Sequence, residues 1–103
     1  MKFRYKKYGQ VLRPVIEIRV RGKKDESVRY EVLVDSGADL CLFDAEIGEA
    51  VGIKVADGKP REVFMPQVAG RAMPYGLVGQ RGFFDAFVVK FDLHKEEVEL
   101  KQR

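Results

Sequence analysis

Residues 32–39 read Val32-Leu33-Val34-Asp35-Ser36-Gly37-Ala38-Asp39. Three consecutive apolar residues, two of them β-branched, predict a strand end buried on both faces. Asp-Ser-Gly then breaks that strand into a tight loop, since all three residues favour turns and aspartate can bond its own backbone two residues on. Asp35 therefore stands where a buried strand stops. Burial disfavours a charged carboxylate, whereas backbone amides or a hydroxyl aimed at it favour the charge. A carboxylate held between those pressures is suited to moving protons. The tripeptide alone does not decide the matter, because it also serves as a plain turn. The other acids Glu17, Asp25, Glu31, Glu46, Glu49, Glu96, Glu97 and Glu99 occupy polar positions in their local patterns, as solvated side chains do.

Upstream of Asp35, Val15-Ile16-Glu17-Ile18-Arg19-Val20-Arg21 has period two, with Ile16, Ile18 and Val20 on one face. The charged turn Gly22–Ser27 leads into a second strand whose Val28, Tyr30, Val32 and Val34 share a face, so residues 15–34 predict a hairpin. Downstream, Asp44 is a good N-cap for a short helix carrying Ile47, Ala50 and Val51 on one side and ended by Gly52. Residues 53–76 are rich in glycine and proline and read as short strands and loops. Leu77-Val78-Gly79 is an apolar strand end, followed through Gln80-Arg81-Gly82-Phe83-Phe84-Asp85 by a bend and a helical turn. A last hairpin closes the chain: Phe87, Val89, Phe91 and Leu93 alternate inward, His94-Lys95-Glu96 turn, and Val98 and Leu100 alternate back. The expected fold is mainly β, with one or two short helices.

Length and composition bound the function. The 103 residues suffice for a single domain, residues 1–103, and 46% hydrophobic with 34% charged residues is a globular balance. Cys41 and His94 are single, so an internal disulfide is impossible and a Cys/His metal cage is not expected; no metal or other cofactor is implied. Cys41 reads as a small buried apolar side chain. No apolar run is long enough to span a bilayer, and the start lacks the apolar core of a secretory signal, so a cytoplasmic location is expected. The net charge of +3 is a weak field. Lys2, Arg4, Lys6 and Lys7, interleaved with Phe3, Tyr5 and Tyr8, form a basic arm over residues 1–14. Such an arm can meet phosphates and stack bases. No nucleic-acid motif follows it, so its aromatics are expected to pack on the body or on another subunit.

Leu77-Val78-Gly79 places a glycine 44 residues after Asp35, at a strand end that can admit another backbone at close range. Together, Val32-Leu33-Val34-Asp35-Ser36-Gly37-Ala38-Asp39 and Gly76-Leu77-Val78-Gly79 resemble the two motifs of the retropepsin-like aspartic proteases. The likeness covers residues 15–52 and 77–100, 62 of the 103 positions. Either motif alone is weak; order, spacing and strand context together make the pattern fairly specific. The resemblance implies a small closed β-barrel or sandwich with one catalytic aspartate per chain, Asp35, supported by Ser36, Gly37 and Ala38 and, from the second motif, by Leu77, Val78 and Gly79. It further implies a homodimer that places the two Asp35 carboxylates around one water and hydrolyses peptide bonds in a peptide or protein substrate. Ser36 would bond across the two-fold axis, the Gly37 amide would point at Asp35, and Asp39 would pair with Arg81. The C-terminal strand Val98-Glu99-Leu100 and the N-terminal arm would supply dimer sheet strands.

Two departures from the family pattern stand out. A full flap hairpin between the motifs needs on the order of 35 residues, yet Ile53 to Gly76 is 24 residues and lacks a glycine-rich tip. A shortened hairpin at Asp57-Gly58 or Gly70-Arg71 is the most it could form. Because a flap excludes water and orients the scissile bond, its shortening lowers the expected turnover and raises the alternative of an idle dimerisation or peptide-binding domain. The second departure is Gly79-Gln80-Arg81-Gly82, where many members carry Gly-Arg-Asp or Gly-Arg-Asn. That change is expected to alter a support contact and leave the fold intact.

Overall fold

Period-two patterning builds the hairpin that carries the site. In the computed structural model, which describes residues 1–58 and 74–103, β4 (Val15–Arg21) and β5 (Ser27–Val34) pair antiparallel with Ile16 opposite Val32 and Ile18 opposite Tyr30. Four further strands frame them: β1 (Lys2–Arg4), β2 (Lys6–Tyr8), β3 (Val11–Arg13) and, after the helix, β6 (Gly76–Val78). β6 joins the other side of β5 in parallel, Val34 opposite Val78, giving the sheet β4-β5-β6. Ile16, Val32, Val34 and Val78 pack into the core from one face, while Val15 and Leu77 are buried although they lie out of phase with it. The strand ends leading to Asp35 are thus apolar on both faces, as expected.

The last hairpin, β7 (Phe87–Asp92) and β8 (Glu97–Gln102), forms the second sheet. β1 adds to its other side, so the order is β1-β8-β7, with Phe3 opposite Val98. Val98 and Leu100 are buried and join Ile16, Val32, Val34, Val78 and Phe83 in one cluster, which packs the two three-stranded sheets against each other. β2 and β3 form a separate two-stranded hairpin. Pro14, which has no N–H to donate, separates β3 from β4, and its carbonyl accepts the Val34 N–H at 3.0 Å.

The helix α1 (Ala45–Ala50) begins after Asp44, whose side chain makes no capping bond, and Gly52 ends it at φ +86°. Val51 is buried, Ile47 half-buried and Ala50 exposed. A 3₁₀ turn at Val55–Asp57 follows. The rest of the 53–76 segment, including the possible turn at Gly70-Arg71, lies largely outside the described residues.

Three expectations need correction. The described strands form three open sheets, not a closed barrel. Closure requires every strand to be bonded on both sides, and here breaks at Tyr5 and Pro14 divide the N-terminal run into three-residue pieces. The strand Val98-Glu99-Leu100 lies in the middle of its sheet, between β1 and β7, so it has no free edge for a partner's strand; the edges are β1 and β7. Finally, Phe91 and Leu93 do not point into the core: they are 39% and 71% exposed. Phe91 keeps its alternation, opposite the buried Val98, but stands on the edge strand β7, and Leu93 lies in the turn beyond it.

Candidate active site

Asp35 follows directly on β5, and its main chain is tied to the second motif. Its N–H donates to Val78 O at 3.0 Å, so β6 holds the carboxylate-bearing residue at the sheet's end. The Gly37 N–H donates to Asp35 Oδ1 at 2.9 Å, the orientation expected from the sequence, and the Ala38 N–H donates to Asp35 O at 3.2 Å to close the turn. Asp35 is half-buried, with Ser36 and Gly37 exposed beside it. The bond fixes the direction of one carboxylate oxygen, and the exposed Ser36 and Gly37 leave that side of the loop open.

Gly79 passes close beneath this loop. A Cβ at that position would lie 2.5 Å from both Ala38 O and Leu40 O, which are rigid main-chain atoms, so only glycine fits the crossing. On either side the two segments are laced together: Gln80 N–H to Ala38 O at 2.8 Å, Arg81 N–H to Asp39 O at 3.0 Å, and a reciprocal Leu42–Leu77 pair at 2.8 and 2.9 Å. The structure therefore brings Asp35, Ser36, Gly37 and Ala38 together with Leu77, Val78 and Gly79. The Asp39–Arg81 pair is met only through the main chain. Both side chains belong to exposed residues, and they make no ion pair within 4 Å; the ion pairs among the described residues are Lys2–Glu99, Lys6–Glu31 and Arg29–Glu17. Exposed charge pairs contribute little, and main-chain bonds hold the two segments in register.

Two contacts were not anticipated from the residue pattern. Gln80 Nε2 donates to Ser36 O at 2.7 Å, so the second motif reaches the Asp35 loop through a side chain. The departure Gly79-Gln80 was the signal for a changed support there. Cys41 Sγ lies 3.4 Å from both Gly79 N and Arg81 O, accepting from the first and donating to the second. The apolar setting of Leu40-Cys41-Leu42-Phe43 concealed that polar role.

A second polar cluster sits four residues before Asp35 on β5. The Tyr8 hydroxyl donates to Glu31 Oε2 at 2.7 Å, and Lys6 Nζ lies 3.1 Å from the same oxygen. Burial, then the bond to Glu31, pushes the Tyr8 phenol up to about 12, while the Tyr8 and Lys6 hydrogen bonds hold the Glu31 carboxyl below its ordinary value. Tyr8 also meets Tyr75 edge to face at 5.1 Å between ring centroids. The aromatics of the basic arm thus pack on the body of their own chain. Burial likewise raises the phenols of Tyr5 and Tyr30, and the Lys95 N–H lowers the Asp92 carboxyl. Among the described residues no three His, Cys, Asp or Glu side chains gather as a metal site, and no helix is long and apolar enough to cross a membrane. Comparison with protein-family profiles, with curated proteins and with solved structures found no match to this chain.

Proposed function

We propose that this chain is one half of a retropepsin-like aspartic endopeptidase, completed by a second copy across a two-fold axis. The observation that carries this reading is the Asp35 loop itself. Its carboxylate accepts the Gly37 N–H at 2.9 Å at the end of the central strand of β4-β5-β6, and Gly79 crosses beneath it in contact with Ala38 and Leu40. One chain supplies one such acid, whereas peptide hydrolysis by this chemistry takes two carboxylates and a water. Two carboxylates about 3 Å apart cannot both ionise, so they share a proton and titrate as a unit. The ionised member removes a proton from the water as its oxygen attacks the scissile carbonyl carbon, and the protonated member donates to the carbonyl oxygen. The tetrahedral intermediate then collapses: the C–N bond breaks and the nitrogen leaves with a proton. Ser36 of each copy bonds across the axis in this arrangement, which is isologous. The substrate class is an extended peptide or unstructured protein, and the reaction needs no cofactor.

Sedimentation equilibrium and cleavage of an unstructured polypeptide at about pH 4–6, with Asp35→Asn as control, test the reading. A dimer that cleaves, and loses cleavage in Asp35→Asn, is the expected result. A strict monomer, or equal degradation by both proteins, overturns it. One feature favours a second reading: the 24 residues from Ile53 to Gly76 are too few for a full flap. A stable dimer without hydrolysis would assign the chain to dimerisation or peptide binding instead.

A further inference from the structure

The Ser36–Gly37 peptide group is held at both of its ends. Its N–H donates to Asp35 Oδ1 at 2.9 Å, and its C=O accepts from Gln80 Nε2 at 2.7 Å. Because a peptide unit is planar and rigid, gripping the oxygen fixes the direction of the hydrogen on the other side. Gln80 is itself anchored: its N–H donates to Ala38 O at 2.8 Å and its carbonyl accepts the Asp85 N–H at 3.1 Å. The Asp85 carboxylate in turn takes the Gly82 N–H, with both oxygens at 3.1 Å, which fixes the bend just after Gln80. The side chain of Gln80 is thereby aimed by main-chain bonds and not by packing, since the residue is exposed. Without its donor, the Ser36–Gly37 plane loses the restraint that keeps the N–H on the carboxylate, and Asp35 gains freedom to turn.

We infer that Gln80 is a positioning residue for Asp35, acting through the Ser36–Gly37 peptide plane. Its catalytic consequence rests on the peptidase reading above, but its structural consequence does not. Three variants of the full chain test it: Gln80→Met, which keeps the length and loses the donor; Gln80→Glu, which puts an acceptor against the Ser36 carbonyl; and Gln80→Lys, which restores a donor. The first readout is the Gly37 amide proton resonance, which moves with pH as the carboxylate it donates to changes charge. That movement is expected to be lost in Gln80→Met and Gln80→Glu and recovered in Gln80→Lys, while the Asp35 amide, bonded to Val78 O, stays in place. The second readout is turnover, expected to fall about tenfold in kcat with KM unchanged in Gln80→Met, the scale of one lost hydrogen bond. An unaltered Gly37 response in folded Gln80→Met overturns the inference. If wild type cleaves nothing and the Gly37 response is still lost on substitution, the positioning role stands and the peptidase reading falls.

Discussion

At the scale of single residues, the site depends on atoms with no room to move. Gly79 is the clearest case, because an added methyl would meet two carbonyl oxygens at 2.5 Å, and main chain cannot swing aside as a lysine tip can. Gly79→Ala is expected to cost about 3 kcal/mol of stability, at the upper end for overpacking, because accommodating it forces the Ala38–Leu40 segment away from the second motif. Urea denaturation measures this directly, and a loss below about 1 kcal/mol would show that the crossing is looser than described. Cys41 works on the same few atoms from the other side, where its sulfur joins the Gly79 N–H to the Arg81 carbonyl. These contacts hold the two segments together at the crossing, and none of them is an ion pair.

At the scale of elements, the β2–β3 hairpin is fastened to β5 by Tyr8 and Lys6 on Glu31. This fastening depends on pH in two directions. The phenol of Tyr8 is raised from 10.0 to about 12, so as pH rises through that interval the unfolded chain loses its proton first and folding stability falls. The Glu31 carboxyl is lowered from 4.5, so as pH drops below that value the unfolded chain takes up its proton first and stability falls again. Tyr8→Phe removes the bond common to both. It is expected to lower stability by about 1 kcal/mol near neutrality, and to flatten the pH dependence at both ends. The Glu31 side chain is 43% exposed, which keeps the acid-side change small. Urea midpoints at about pH 4, 7 and 11 check this. A profile identical in shape to that of wild type would mean that Tyr8 and Glu31 are not coupled in solution.

At the scale of the whole molecule, one apolar cluster draws on both three-stranded sheets: Ile16, Val32, Val34 and Val78 from one, Val98 and Leu100 from the other. Because both sheets contribute to this one cluster, the chain should unfold as a unit. Val98→Ala, at a position with no exposure, is expected to cost about 2 kcal/mol and to lower the thermal midpoint by roughly 10 °C. Backbone and tyrosine circular dichroism should then shift together, whereas two separated transitions would show that the sheets fold independently. The exposed apolar end of the last hairpin, Phe91 and Leu93, contributes little to this core.

Much of the architecture was legible in the residue order because it is encoded locally. Alternation over 15–21 and 28–34, the turn chemistry of Asp35-Ser36-Gly37, the glycine that ends α1 and the pairing of the last hairpin each need only near neighbours, and each appears where the pattern put it. The Gly37 bond to Asp35 was legible for the same reason, as it spans two residues. What could not be read is what spans the chain. β1 lies on β8 across almost its full length, and this pairing leaves Val98-Glu99-Leu100 without an edge. Period two states which residues face inward, yet it is silent on which strand edges meet and on which strand is left at an edge. Gln80 and Cys41 fall in the same class. Their roles arise because Gly79 lets two distant segments approach to main-chain distance, and a contact made by such an approach belongs to the folded chain, since neither segment carries a mark of the other.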